Sequence, residues 1–543
     1  MTLPTRPVGT RAPFANLAES PADDRVESLS PKARVELQQA NALMLRGDLE
    51  TAERTLRGIL ATNADHVETL RLLAIVLQLG GRSAEAIATV RTAIRSRPSD
   101  PLLMNTLGSL LRGAGDLAGA ESAFRRAVSL KPDLASAWLN LGTNLQLQSE
   151  MREAEAAFAR AVELAPRDPA ARVAHGHALN ALGRTDEAIA AFRAAIAADP
   201  RAALAWAGLA EIKTVALGDD DVAALEKLST DTALDDEQRA IVRFALGRAL
   251  EDAQRQPEAF AAFEAANATM RAFMPWDAAA HSRGIDAIAA AFETRAEPAR
   301  DATLGSDVIF VVSLPRAGST LAEQILGAHP DVEGAGELND LAIVVQEESQ
   351  RRGEVFTTWA SKATTEDWER LGRRYLERTS RWRVAHRVHV DKAVTNWPLV
   401  GAILAMLPGA RIVNARRDPL ETGWSCFKQR FVRGQQAFSY ALEDIGAYWI
   451  DYDRLMFFWH ARYPGRIYDL VHEELVAAPE PVIRKLLDFC GLPFAASCLR
   501  PHRSDRIVRT SSAAQVRQPL RADTARAAAY GRLLDPLRRS LGL

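Results

Sequence analysis

Residues 307–321 read D-V-I-F-V-V-S-L-P-R-A-G-S-T-L, and the C-terminal half of the chain can be interpreted from this stretch. Residues 308–312 are apolar and rich in β-branched side chains, which is typical of a buried parallel strand. The next residues bring a cation, a glycine and two hydroxyl groups, and residues 321–328 have the apolar spacing of a helix. Because backbone N–H groups at a helix N-terminus bind anions, the stretch predicts a phosphate-type site. An ordinary strand-to-helix turn is the alternative.

Length and composition limit the class of protein. A chain of 543 residues is too long for one hydrophobic core, so we expect several domains. With 48% hydrophobic residues and a net charge of -2, it resembles ordinary globular proteins rather than basic nucleic-acid binders. Its three cysteines lack metal-type spacing, so neither a disulfide framework nor a metal site is expected. The sequence has no long apolar run and no apolar leader, which predicts a cytoplasmic protein without a transmembrane segment.

The N-terminal half is built from an internal repeat. Prolines recur every 34 residues, and columns of glycine, alanine and phenylalanine recur in the same register. The recurring positions include Pro98, Pro132, Pro166 and Pro200, then Gly108, Gly142 and Gly176, and then Phe124, Phe158 and Phe192. This pattern resembles the tetratricopeptide repeat family, with Trp138 and Trp206 at its aromatic position. Units are expected to start near residues 33, 67, 101, 135 and 169, and a unit starting at 203 loses the register after Gly218. A further unit returns near residue 240.

An array of such units predicts an all-α solenoid with a concave surface. Small residues let paired helices approach closely, a large apolar residue fills the groove to the next unit, and proline ends the second helix. The concave surface favours a protein or peptide partner. Packing against the C-terminal domain, or self-association, is the alternative.

Further strands are expected at residues 388–392, 411–415 and 467–470, with helices between them. This alternation predicts a mainly parallel sheet, whose ligands lie at the carboxyl ends of the strands. Arg316, Lys392 and Arg417 each follow a strand, so three cations are expected to converge on a polyanionic ligand. The loop lacks the first glycine of a nucleoside-triphosphate P-loop, where Ser313 stands, and has no lysine after Gly318.

From residue 307 to about 541 the chain resembles the sulfotransferase family, and most closely its tyrosylprotein sulfotransferase branch. The resemblance depends on Pro315-Arg316-Ala317-Gly318-Ser319-Thr320-Leu321, on Arg417 and Ser425 at a spacing of eight, and on Gly336-Glu337. Ser511 or Ser512, followed by residues 515–519, is similar to the segment that closes over the cofactor.

The resemblance implies a role for each of these residues. Arg316, Ala317, Gly318, Ser319 and Thr320 would hold the 5′-phosphosulfate of 3′-phosphoadenosine-5′-phosphosulfate, while Arg417 and Ser425 would hold its 3′-phosphate and Ser512 would contact it. Glu337 would be the general base, and Arg316 and Lys392 would stabilise charge on the transferred sulfuryl group. No metal is implied, because Arg and Lys can neutralise the charge.

The residues alone leave alternatives open. Glu337 could cap the next helix or pair with Arg316. Lys392 could be a solvated strand end, and Arg416 could replace Arg417 as the phosphate contact. His329 is interpreted as structural.

The sequence thus predicts a disordered lead-in (1–28), a tetratricopeptide-repeat solenoid (29–273), a helical connection (274–305) and an α/β P-loop-like sulfotransferase domain (306–543). The predicted activity is sulfuryl transfer to a hydroxyl of a protein tyrosine, a saccharide or a small molecule. The repeats would bind that acceptor or a partner. The alternatives are a repeat-based scaffold with an inactive nucleotide-binding domain, and a P-loop-type phosphotransferase.

Overall fold

The computed structural model describes residues 23–293, 298–431, 434–504, 506–508, 510, 513–521 and 525–543. The chain divides into two compact units, of which the first ends at Ala205 and the second runs from Trp206 to Leu543. Within the described residues, no helix combines the length and the apolar character needed to cross a lipid bilayer. Each unit is considered on its own below.

The first unit is a series of antiparallel helix pairs. Its helices are Asp23–Val26, Pro31–Arg46, Leu49–Thr62, Val67–Leu79, Ser83–Ser96, Pro101–Gly113, Leu117–Leu130, Ala135–Leu147, Met151–Leu164, Pro169–Ala181 and Thr185–Ala198. Pairs begin close to each of the five predicted unit starts, so the predicted solenoid of tetratricopeptide repeats is confirmed. The recurring prolines stand two residues beyond the ends of the second helices, where their missing N–H costs no helical hydrogen bond.

Close helix approach explains the glycine and phenylalanine columns. A Cβ atom added at Gly142 would lie 2.6 Å from the ring of Phe158, and Gly108 meets the ring of Phe124 at the same distance. Phe158 and Phe124 are fully buried. A side chain at these glycines would therefore separate the two helices of a unit.

The second unit begins within the helix Ala203–Glu211 and continues with the helices Asp219–Leu228, Asp236–Asp252, Gln256–Phe273 and Ala278–Ala291. The pair Asp236–Asp252 and Gln256–Phe273 repeats the packing of the solenoid, because a Cβ atom added at Gly247 would lie 2.6 Å from the ring of Phe263. The returning unit that the sequence predicts near residue 240 is this pair. Its Phe260 stacks on Trp424 at 5.9 Å, so the pair shares its apolar core with the α/β part of the same unit.

The α/β part contains a five-stranded, fully parallel sheet in the order β2-β3-β1-β4-β5. The strands are β1 (Val308–Ser313), β2 (Val332–Gly334), β3 (Val388–Asp391), β4 (Arg411–Arg416) and β5 (Ile467–Val471). The helices in this part are Ser319–Gly327, Asp340–Arg352, Phe356–Ala360, Thr365–Arg378, Val400–Met406, Pro419–Phe427, Leu442–Arg462, His472–Ala477, Pro479–Phe489, Ala513–Val516 and Asp535–Leu541. The predicted α/β class with a mainly parallel sheet is confirmed.

Strand β1 lies at the centre of the sheet and is buried on both faces. Val308, Phe310 and Val312 face one apolar core, while Ile309 and Val311 face the other. This is why residues 308–312 form a continuous apolar run rather than an alternating one.

Strand β2 was not predicted, since residues 329–338 look like a loop in the sequence. Only three residues pair, Val332 with Val388 and Glu333 with His389 among them, and the strand lies between Pro330 and Gly336. So short a strand has no recognisable period of its own; the buried Val332 and the pairing with β3 fix it at the sheet edge.

Candidate functional site

The loop after β1 leads directly into the helix Ser319–Gly327. Gly318 precedes this helix in the left-handed conformation with φ 99°, which glycine adopts without steric cost. Ser319, the first helical residue, is buried, so its backbone N–H belongs to an enclosed helix N-terminus. This geometry is that of an anion-binding helix start.

Arg316 brings the loop and a distant helix together. Its Nε donates a hydrogen bond to Ser425 Oγ at 3.1 Å, across 109 residues of chain. One residue further on, Cys426 Sγ lies 3.3 Å from the carbonyl oxygen of Pro315. Arg316 has φ 68°, an unusual conformation for a residue with a side chain. Burial lowers the pKa of the Arg316 guanidinium, which nevertheless stays charged at any physiological pH.

Arg416 and Arg417 point to different surroundings at the end of β4. Arg416 forms an ion pair with Asp453 and lies over the ring of Tyr452. Arg417 lies 3.6 Å from Glu421 and is close enough to Arg316 to lower the pKa of that guanidinium. Both arginines line one small cavity together with Leu314 and Ala317 of the loop after β1, so the choice of Arg417 as the phosphate contact stays a prediction.

Glu337 and Lys392 meet at the carboxyl end of β3. Lys392 Nζ donates to Glu337 Oε1 at 2.5 Å. The side chain of Lys392 is only 1% exposed, whereas that of Glu337 is 53% exposed. A buried ammonium thus lies beneath an accessible carboxylate. The sequence predicted Lys392 at the end of a strand and left open that Glu337 pairs with Arg316; in the structure the partner of Glu337 is Lys392 instead.

The loop that carries Glu337 is held by residues which the sequence did not single out. Glu323 Oε1 accepts a hydrogen bond from Gly336 N at 2.9 Å. Arg506 Nη2 donates to the carbonyl oxygen of Gly334 at 2.5 Å and lies 3.4 Å from the same Glu323 oxygen. A Cβ atom at Gly334 would collide with the Arg506 guanidinium, which explains the glycine.

Residues 307–496 match the model of the sulfotransferase family. This chain contains a sulfotransferase domain. Residues 37–101, 105–172 and 169–212 match models of the tetratricopeptide repeat. An uncharacterized protein of Aquifex aeolicus (strain VF5) is 36% identical over 239 residues, which is 42% of this chain and 31% of that relative. The chain therefore matches less than a third of this relative's length.

Solved structures of tetratricopeptide-repeat proteins resemble part of the chain. A thermophilic one from Thermus thermophilus is 24% identical, covers 31% of this chain and 92% of its own length, and has a TM-score of 0.29. One from Parabacteroides merdae is 19% identical, covers 44% of this chain and 94% of its own, and has a TM-score of 0.33. YrrB, described as having an unusual peptide-binding site, is 22% identical, covers 34% of this chain and 94% of its own length, and has a TM-score of 0.26.

Residues beyond the matched segment 307–496 also approach the start of the helix Ser319–Gly327. Thr320 Oγ1 lies 3.3 Å from Thr510 Oγ1, and Arg517 Nη2 donates to the carbonyl oxygen of Arg506 at 2.9 Å. Ser511 and Ser512, one of which the sequence assigns to the cofactor, lie outside the described residues. Within the described part, no cluster of His, Cys, Asp and Glu side chains has the arrangement of a metal site.

Two buried groups of the sulfotransferase domain lie behind the site. Asp391, next to Lys392, accepts a hydrogen bond from Tyr375 Oη at 2.8 Å, and burial raises the pKa of its carboxyl group to about 7. His329 is engaged through both ring nitrogens, with Pro493 O at 2.9 Å and with the backbone N–H of Asp331 at 3.1 Å. These backbone contacts match the structural interpretation of His329.

Proposed function

We propose that this protein transfers a sulfuryl group from 3′-phosphoadenosine-5′-phosphosulfate to the hydroxyl group of an acceptor. The contact between Arg316 and Ser425 carries the proposal. It joins the loop expected to hold the phosphosulfate to the helix expected to hold the 3′-phosphate. A ligand with anionic groups at two ends suits such a site better than one with a single phosphate.

The residues present fit this nucleotide. Arg316, Arg417 and the N-terminus of the helix Ser319–Gly327 supply positive charge, and Ser319, Thr320 and Ser425 supply hydroxyl donors. Arg–phosphate pairs are strong because the guanidinium donates in parallel to two oxygens. Ala317 and Gly318 keep the loop small, so the ligand can approach the backbone.

Glu337 is suited to the role of general base. Its carboxylate is accessible, and Lys392 holds one of its oxygens. As the acceptor oxygen bonds to sulfur, its proton passes to Glu337 and the bond from sulfur to the bridging phosphate oxygen breaks. The leaving oxygen gains negative charge, which Lys392 and Arg316 would stabilise.

The repeats are proposed to bind the acceptor or a partner protein. Tetratricopeptide solenoids present an extended concave surface, and the similar protein YrrB is described as having a peptide-binding site. The resemblance to the tyrosylprotein sulfotransferase branch suggests more specifically that the acceptor is a tyrosine-containing protein. A cytoplasmic setting belongs to the same proposal.

Two experiments test the proposal and its rivals. Titration calorimetry with adenosine 3′,5′-bisphosphate should show binding, and magnesium ATP should bind weakly without turnover. Turnover of ATP with no affinity for the bisphosphate would establish a phosphotransferase instead. Incubation with 35S-labelled donor and cell extract should then put label into protein, carbohydrate or small molecules. Bisphosphate binding without any transfer would favour the inactive scaffold.

A further inference from the structure

Lys213 lies in a part of the chain to which no function is yet assigned. It follows the helix Ala203–Glu211, in the loop before Asp219–Leu228. The matched repeat segment ends at residue 212 and the sulfotransferase match begins at 307, so neither includes it. Arg248 Nη2 donates to the carbonyl oxygen of Lys213 at 3.5 Å and anchors the loop on the helix Asp236–Asp252.

The side chain of Lys213 reaches the turn that directly follows the helix carrying Ser425. Its Nζ donates to Gln429 Oε1 at 3.2 Å. Gln429 lies two residues beyond the end of the helix Pro419–Phe427, in a turn that its backbone N–H closes on the carbonyl oxygen of Cys426 at 3.0 Å. Cys426 is the neighbour of Ser425, which accepts the hydrogen bond of Arg316, so Lys213 and Arg316 both contact this end of the helix.

Within the part of the chain that the structure describes, the ammonium of Lys213 forms no ion pair with a carboxylate, and the neighbouring cations have their own acidic partners. Lys428 is paired with Glu251 at 2.6 Å, and Arg248 with Asp252 at 2.9 Å. Among the described residues, the hydrogen-bond acceptor of Lys213 is the neutral amide oxygen of Gln429. Glu211 is the acidic residue that acts on the pKa of the Lys213 ammonium, and its carboxylate also lies 4.0 Å from Arg430.

Placing one more ammonium among cations is unfavourable unless an anion joins them. Burial lowers the pKa of the Lys213 ammonium well below its ordinary value, and Arg316, Lys428 and Arg248 act in the same direction, opposed by Glu211. A bound anion would offset the repulsion between these cations and raise the pKa of the Lys213 ammonium.

We propose that Lys213 binds the anionic nucleotide next to Arg316, so that a repeat-derived loop completes the donor site. The inference rests on the proposed function. It means that the donor site extends beyond the sulfotransferase domain to a residue contributed by the preceding helices.

The test uses the full chain and adenosine 3′,5′-bisphosphate as the probe. Lys213→Met should weaken binding at least about tenfold, the effect of losing one charge-assisted contact. Lys227→Met is the matched control, because Lys227 is an exposed lysine on the next helix, and it should leave the affinity within about twofold. Equal affinities of the wild type and Lys213→Met would overturn the inference while the proposed function stands. A wild type that does not bind the probe would overturn both.

A second variant separates charge from packing. Because the pKa of Lys213 is lowered, the wild type should lose affinity as the pH rises through that pKa and the ammonium loses its proton. Lys213→Arg should retain its affinity to higher pH, since a guanidinium does not deprotonate there. Lys428 also titrates in the cluster, but it is present in both proteins. An alkaline loss of affinity at the same pH in both would overturn the inference, even if Lys213→Met does not fold.

Discussion

Arg316 combines a functional side chain with an unfavourable backbone. Its φ of 68° lies in the left-handed region, where a Cβ atom costs about 1 kcal/mol relative to glycine. The side chain nevertheless reaches Ser425 from this position. Strain at such a residue persists only when the surroundings hold it in place, and it is common at ligand sites.

This conformation can be tested with two variants that both remove the charge. Arg316→Gly should be more stable than Arg316→Ala by about 1 kcal/mol, because only glycine adopts the left-handed region freely. Urea unfolding followed by circular dichroism measures the difference. Equal midpoints would show that the loop relaxes to another conformation. Both variants should bind the bisphosphate more weakly than the wild type.

Glu337→Gln should lower sulfuryl transfer by about 10²- to 10⁴-fold, since an amide cannot accept the proton of the hydroxyl. Bisphosphate affinity should change little, because the proposed donor contacts are elsewhere. Glu333→Gln is the matched control: Glu333 is a nearby acid that pairs with His386 at 3.3 Å rather than with Lys392. Transfer that survives Glu337→Gln would remove Glu337 as the base without removing the family assignment.

Asp391 predicts a pH dependence of stability. Burial raises its pKa to about 7 in the folded protein, so the folded state binds a proton that the unfolded state releases. This contribution to stability is present at low pH and is lost as the pH rises from about 4 through 7. Asp391→Asn should remove it, and the variant should gain stability relative to the wild type by roughly 1.4 kcal/mol per pH unit in that range. Urea unfolding at pH 5 and pH 8 measures this; parallel pH profiles would contradict the assignment.

At the scale of elements, the helix pairs depend on glycines that face aromatic rings. Gly142→Ala should destabilise the chain by about 1–3 kcal/mol, because its Cβ would lie 2.6 Å from Phe158. Gly58→Ala is the control, since nothing lies within 4 Å of a Cβ there. That variant should be neutral or stabilised by up to about 1 kcal/mol, as alanine is the better helix former. Thermal unfolding compares the two.

The same scale shows what the sequence could predict. The repeats were predictable because the contact between Gly142 and Phe158 recurs every 34 residues and leaves a period in the sequence. Strand β1 was predictable because burial on both faces requires a continuous apolar run. The rule that strand ends share one edge of the sheet predicted that Lys392 lies near the other strand-end cations. It did not predict the pairing of Lys392 with Glu337, because Glu337 follows β2, a strand that the sequence does not reveal.

Other contacts leave no such signal. Arg506 and Glu323 support the Glu337 loop from positions 183 residues apart, and no spacing or composition connects them. Lys213 lies five residues before the point at which the repeat register is lost, and no motif around it indicates a ligand-binding residue. Tertiary packing, rather than local pattern, fixes these positions.

At the scale of the whole molecule, the last helix pair belongs to the compact unit of the sulfotransferase domain. Phe260 stacks on Trp424, Asn267 Nδ2 donates to Phe427 O at 2.9 Å, and Glu251 holds Lys428. The boundary predicted from the sequence, between residues 273 and 274, stays a prediction. It would leave these partners without their contacts.

Two fragments of the chain distinguish a boundary at residue 206 from the boundary predicted between residues 273 and 274. The fragment 206–543 should fold cooperatively, whereas 274–543 should aggregate, because it exposes Trp424 and leaves Lys428 without Glu251. Near-ultraviolet circular dichroism and size-exclusion chromatography measure the outcome. A monomeric, natively packed 274–543 would support the boundary predicted from the sequence.

The burial of Cys426, whose thiol lies against the carbonyl oxygen of Pro315, has a practical consequence for labelling chemistry. Burial raises the pKa of the Cys426 thiol to about 12, and those of Cys490 and Cys498 to about 12 and about 11. Thiolates, not thiols, react with maleimides, so the three native cysteines should react slowly in the folded protein. One exposed cysteine introduced into the solenoid would therefore carry a fluorophore or spin label selectively, with every native cysteine left in place.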